Sequence, residues 1–137
     1  MSQFLKQYIL IALVTIISGC SVNDKTTNSI KENVLSAFEE EGIELSVKKA
    51  NSNSIPFDYP NSKESIYQID GGRIYCLFYG YDQTKQIEKK IRATLAETEF
   101  LYPLQVSYYD KFAIIFIPTT DNTEITEKVD LVLDRLK

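Results

Sequence analysis

The chain has no histidine and no tryptophan, and among its 137 residues there are one methionine, two cysteines, four prolines and five glycines. Without histidine, His-based nucleophile triads, the commonest general base and the usual zinc ligand are excluded together. Two cysteines, Cys20 and Cys76, cannot form a disulfide framework. No glycine-rich phosphate loop occurs, since Gly71-Gly72 reads as a turn. There is no surplus of cations: 15 Lys and Arg stand against 19 Asp and Glu, a net charge of −4 that argues against nucleic acid. Nor is there a long apolar run. The only candidate, YILIALVTII from Tyr8 to Ile17, has ten residues, whereas a spanning helix needs about 20.

That short run follows a single cation, Lys6, and ends at Ile17-Ser18-Gly19-Cys20. A cation, a short apolar core and small residues before a cleavage point are the parts of a secretory signal peptide. An uncleaved membrane anchor is the competing reading. The aliphatic, small, small, cysteine order resembles the lipobox of bacterial lipoproteins. The resemblance implies a diacylglyceryl group, carrying palmitate-type chains, on the Cys20 thiol, cleavage after Gly19, and Cys20 as the mature N-terminus. Two acyl chains hold a protein stably on a bilayer where one does not. The expected location is therefore the outer side of the cytoplasmic membrane, anchored without spanning.

Three segments follow: a leader over 1–19, a lipidated polar tether over 20–28, and one domain over 29–137. Cleavage would leave 118 residues, enough for a single core, with 14 cations against 19 acids. That net charge of −5 disfavours a polybasic contact with anionic lipid.

Ser29-Ile30-Lys31-Glu32 fits a capping box, with Ile30, Val34, Leu35 and Phe38 on one helical face and Gly42 as the stop. A second amphipathic pattern opens at Asp82 and carries Ile87, Ile91 and Leu95; a third opens near Asp121 and carries Ile125, Val129, Val132, Leu133 and Leu136. Residues 66–69 and 73–79 flank Asp70-Gly71-Gly72 as a hairpin, residues 104–108 and 112–117 flank a second turn, and 43–48 offer a fifth strand. Hairpin plus helix occurs twice. Strand residues repeat at an offset of 38 and Asp82-Gln83-Thr84 meets Asp121-Asn122-Thr123 at 39. The expected fold is α+β: two ββα units forming a mostly antiparallel sheet, their helices on one face, preceded by an N-terminal helix.

The whole pattern resembles small, uncharacterised lipoproteins of Gram-positive spore-forming bacteria. The resemblance rests on Glu41-Gly42-Ile43-Glu44-Leu45, on Asn51-Ser52-Asn53-Ser54-Ile55, on Tyr67-x-Ile69-Asp70-Gly71 and on an apolar strand leading into a charged C-terminal helix. It implies location and architecture, and brings no catalytic signature.

The densest acidic group, Glu39-Glu40-Glu41 with Glu44, does not converge on a cation, because helix neighbours diverge by about 100° each. Catalytic residues, metal ligands and cofactors are therefore expected to be absent. Cys76, inside IYCLFY, reads as a buried strand residue. The long segment 49–65 carries Phe57 and Tyr59 between two prolines, and these rings either cover a sheet edge or form a contact surface. Strand parity puts Ile74, Cys76 and Phe78 on one face and Tyr75, Leu77, Tyr79 and Tyr81 on the other, so both faces are apolar and the second needs a cover: the first helix, a second copy or a partner. Phe57, Tyr59, Tyr75, Tyr79 and Tyr81 are thus the candidate interaction surface of a lipid-anchored, non-enzymatic binding protein with a protein partner. The alternatives are an immunity or exclusion lipoprotein, a small apolar ligand carrier needing a deep pocket between sheet and helices, and a hydrolase, which the missing histidine disfavours.

Cys20→Ala is expected to abolish incorporation of labelled fatty acid and to leave the precursor unprocessed. Unchanged mass and membrane retention in that variant would restore the uncleaved-anchor reading.

Overall fold

The structure is a computed structural model that describes residues 24–51, 54–57 and 59–137. The leader and Cys20 lie outside the described residues. The elements in chain order are α1 (Asp24–Glu40), β1 (Ser46–Lys48), β2 (Lys63–Ile69), β3 (Gly72–Phe78), a 3₁₀ turn (Tyr81–Gln83), α2 (Thr84–Ala96), β4 (Gln105–Tyr108), β5 (Phe112–Pro118) and α3 (Thr123–Arg135). The expected α+β class is what the chain adopts.

All four strand pairings are antiparallel, in the spatial order β1-β2-β3-β5-β4. The β2–β3 hairpin closes through Asp70 and Gly71, with Ile69 opposite Gly72. Gly71 sits at φ +93°, a conformation side chains with a Cβ avoid. β3 and β5 form the centre, Cys76 facing Ile114 and Phe78 facing Phe112.

α1 starts five residues before the expected capping box, so Asp24 to Asn28 are helical and Ser29 lies inside the helix. Of the tether expected over 20–28, Asp24 to Asn28 are helix instead, and 20–23 lie outside the described residues. Nothing between Asp24 and Glu40 breaks a helix, and the buried stripe Val34, Ala37 and Phe38 supplies the packing that lets a polar first turn propagate backward. Gly42, at φ +73°, is the stop the sequence predicts. At α3 the cap is Asn122, one residue beyond the expected Asp121; its side chain accepts from the backbone N–H of Glu124 at 3.1 Å and of Ile125 at 3.4 Å.

The helices do not share a face, and here the expectation needs correcting. One layer buries Ile74, Cys76, Phe78, Ile114 and Phe116 under α1 and α3. The other buries Tyr75, Leu77, Tyr79, Ala113 and Ile115 under α2 and the loop carrying Phe57. The topology gives the reason. β3 and β4 run parallel with β5 between them, so α2 is a crossover, and a crossover's hand fixes its face. Among the described residues α3 is not followed by a strand of this sheet. The two ββα units correspond with β3 starting at Gly72 and β5 at Phe112, an offset of 40 where the sequence suggests 38; their helices start at Thr84 and Thr123, the expected 39, and part company in which side they take.

Cys76 lies fully buried in the first layer, as its strand context predicts. Burial pushes its thiol up to about 12, with Lys31 a smaller opposing influence. The neutral thiol is therefore the form that the fold holds. A folded-state value above the unfolded one makes this contribution complete below about pH 9 and progressively lost as pH rises toward 12. Cys76 is expected to resist thiol reagents until the chain is denatured. Across that alkaline window Cys76→Ala should flatten the fall in stability, which for one such group is about 1.4 kcal/mol per pH unit. Fast labelling of the native protein, or an unchanged slope, would contradict this.

Candidate functional site

The five aromatic residues expected to form a contact surface are mostly interior. Phe57, Tyr75 and Tyr79 are buried, Tyr59 is half-buried, and Tyr81 alone is open, at 69% exposure. The long loop does this. Phe57 meets Tyr75 edge-on at 5.2 Å, and the Ile55 N–H donates to the Tyr75 hydroxyl at 3.3 Å. The Tyr59 hydroxyl donates to the Lys90 carbonyl at 3.1 Å and shares a 2.6 Å bond with Thr94, both on α2. Loop and α2 together close the sheet face that parity left uncovered. The Tyr79 hydroxyl donates to the Tyr109 carbonyl at 3.2 Å, and its pKa is pushed up to about 12 by burial first, then by Glu88, Tyr108 and Asp110. These tyrosines spend their hydroxyls inside the molecule. Cys20, the expected lipid attachment point, lies outside the described residues.

Two members of the acidic group, Glu40 and Glu41, are likewise committed to structure. Arg135, at the end of α3, pairs with Glu40 at 2.9 Å and with Glu41 in a second, shorter contact, joining the C-terminal ends of α1 and α3. Among the described residues no cluster of His, Cys, Asp or Glu could hold a metal ion.

What the surface offers lies at the ends of the sheet. A groove of about 560 Å³ opens where α1 turns into β1, bounded by Gly42, Ile43, Glu44, Asp70, Glu124 and Lys128. A second groove of about 480 Å³ shares Gly42, Ile43 and Glu44 and continues past Leu35 and Leu45. The lining of the first groove is mostly polar, with Ile43, Ile69 and Ile125 among Glu44, Asp70, Glu124 and Lys128, the last paired with Glu124 at 3.4 Å. Beside it runs β1, whose far side pairs with no strand among the described residues and whose Val47 is 83% exposed. An open strand edge offers unpaired N–H and C=O groups in a row.

The opposite edge differs. β4 also ends the sheet, yet helices flank it on both sides: Arg92 of α2 lies 4.6 Å over the Tyr108 ring, and Gln105 donates to Asp130 of α3 at 3.4 Å. On β1, by contrast, Ser46 and Val47 are exposed. The only signal for this site in the sequence is the alternation Leu45, Val47 between polar neighbours, which marks a strand and says nothing about which edge remains open.

Tyr79→Ala is expected to cost about 3–5 kcal/mol, as for other fully buried aromatics, while Tyr81→Ala should melt with the parent. Equal melting temperatures for the two variants would reject the interior placement of Tyr79.

Compared with known protein families, curated proteins and solved structures, the chain finds no match in any of the three.

Proposed function

We propose that this chain is a lipid-anchored, extracytoplasmic, non-enzymatic binding protein whose partner is another protein, engaged through the edge of β1 and the acidic groove beside it. The observation that carries the reading is the exposed three-residue edge of β1 next to a groove whose lining includes three carboxylates, Glu44, Asp70 and Glu124. An added strand supplies backbone hydrogen bonds and the neighbouring groove takes alternate side chains. An edge this short, ending in Lys48, discourages indiscriminate strand pairing, so selectivity must come from the groove. Glu44, Asp70 and Glu124 favour a segment carrying lysine or arginine. The anchor comes from Ile17-Ser18-Gly19-Cys20, and the missing histidine weighs against hydrolysis. The ligand-carrier alternative needs an apolar hollow between sheet and helix, where Phe57, Tyr75, Leu77 and Ile91 are packed together.

A photo-crosslinking residue at position 47 of the full, processed chain is expected to give a discrete protein adduct in the producing cells. The same group at exposed Leu131 on α3 should not. Reversing the groove charge with Glu44→Lys and Glu124→Lys should remove most of the adduct without lowering the melting temperature. Identical adducts from positions 47 and 131, or an adduct indifferent to the reversal, would refute the site.

A further inference from the structure

β3 ends, β4 ends, β5 begins and α3 ends at the same end of the sheet, away from the acidic groove. There a second depression, about 620 Å³, is bounded by Ile30 of α1, Tyr81, Tyr109, Phe112 and Leu136, with Lys111 and Lys137 at its margin. Tyr109 and Phe112 stack at 4.3 Å and 11°, and the Tyr109 hydroxyl donates to the Leu133 carbonyl at 2.7 Å, so the apolar floor is rigid. Tyr81 stands out from it into solvent.

Chain geometry ties this end to the anchor. Asp24, the first residue of α1, follows Cys20 by four positions, a reach of at most about 13 Å. Ile30 lies six residues further, about 9 Å along the helix axis. A domain held at Cys20 therefore keeps Ile30 within about 22 Å of the anchor point.

We propose that this end is a bilayer-contacting face: Tyr81, Ile30, Phe112 and Leu136 sit against the headgroup and upper acyl region of phospholipid, and Lys111 and Lys137 reach to the phosphates. It rests on the reading of Cys20 as a lipidated residue. Tyrosine belongs at such an interface because its ring is apolar and its hydroxyl stays hydrated; lysine belongs there because its stem lies along apolar surface while its ammonium reaches out. Asp110 lies among these groups and Asp134 pairs with Lys137 at 3.1 Å, so the face is close to electrically balanced and takes zwitterionic lipid. The consequence is a fixed orientation, with the β1 edge and the acidic groove pointing away from the membrane.

The absence of tryptophan makes the test direct. The full chain carrying Tyr81→Trp, processed in a lipidating host, is reconstituted into phosphatidylcholine vesicles with bromine on the acyl chains. A second chain carries Leu101→Trp, at a site 92% exposed in the α2–β4 connection at the other end of the sheet. Emission from position 81 should shift to shorter wavelength and lose most of its intensity, while emission from position 101 should match the protein in buffer. On the unsubstituted chain, amide exchange over residues 109–112 should slow on vesicles and that over 97–104 should not. Equal quenching at both positions, or none at position 81, in a chain that carries the lipid mass and sediments with the vesicles would overturn the face and leave the anchor standing. A mass showing Cys20 unmodified would overturn the anchor, and this face with it.

Discussion

The rest of the molecule depends on one constraint: β3 and β5, paired at the centre of the sheet, are apolar on both sides. From Ile74 to Phe78 and from Ala113 to Phe116 no side chain is more than 4% exposed. Burying both faces of a strand pair calls for two covering layers. α1 and α3 provide one, and α2 with the Phe57 loop provides the other. The loop would otherwise cost conformational entropy for no return; its ordering is offset by burial of the Phe57 ring against Tyr75 and by the Tyr59 bonds to α2. Tyrosine suits the job because the layers are thin. Three of the rings place their hydroxyls beside a backbone group that needs a partner: Ile55 for Tyr75, Tyr109 for Tyr79, Leu133 for Tyr109.

Most of the fold was legible in the sequence because it depends on local periodicity. The three amphipathic stripes, the Asp70-Gly71 turn, the Gly42 stop and the parity of β3 are all nearest-neighbour or next-turn effects. Two features were not legible. The start of α1 was missed because Ser29 to Glu32 makes a good cap sequence, yet a helix can run through it when the residues before it tolerate the conformation. The side taken by α2 was missed because it is a property of chain connectivity, which no stretch of 15 residues contains.

The site was legible only in reverse. Parity identifies the aromatic face correctly; of the two readings open for Phe57 and Tyr59, cover or contact surface, the structure takes cover, and the surface drawn through Tyr75 and Tyr79 lies buried beneath it. Tyr81 escapes because it follows β3 and stands in the 3₁₀ turn, past the last strand pair. The acidic run shows the same logic. Glu40 and Glu41 look like surplus charge along the chain, and their partner, Arg135, lies almost the whole domain away in sequence. Pairs of that range cannot be read from local pattern, and being half-exposed they hold the helix ends in register more than they stabilise.

With both faces of the sheet occupied, only its ends and edges remain for function, and the two ends differ in kind. The end near α1's first turns is aromatic, with mixed charge; the other carries Glu44, Asp70 and Glu124 around an open strand edge. A seven-residue strand such as β3 separates them by roughly 20 Å, at about 3.3 Å per residue. That is more than twice the Debye length of about 8 Å at physiological salt. In the orientation proposed, the carboxylates of the groove are therefore screened from anionic headgroups and meet a basic partner undisturbed by the bilayer. In that proposed orientation the surplus of acids also acquires a positional meaning: placed at the groove it lies away from the bilayer, whereas at the end bearing Tyr81, where lysines balance the aspartates, it would oppose approach to an anionic surface.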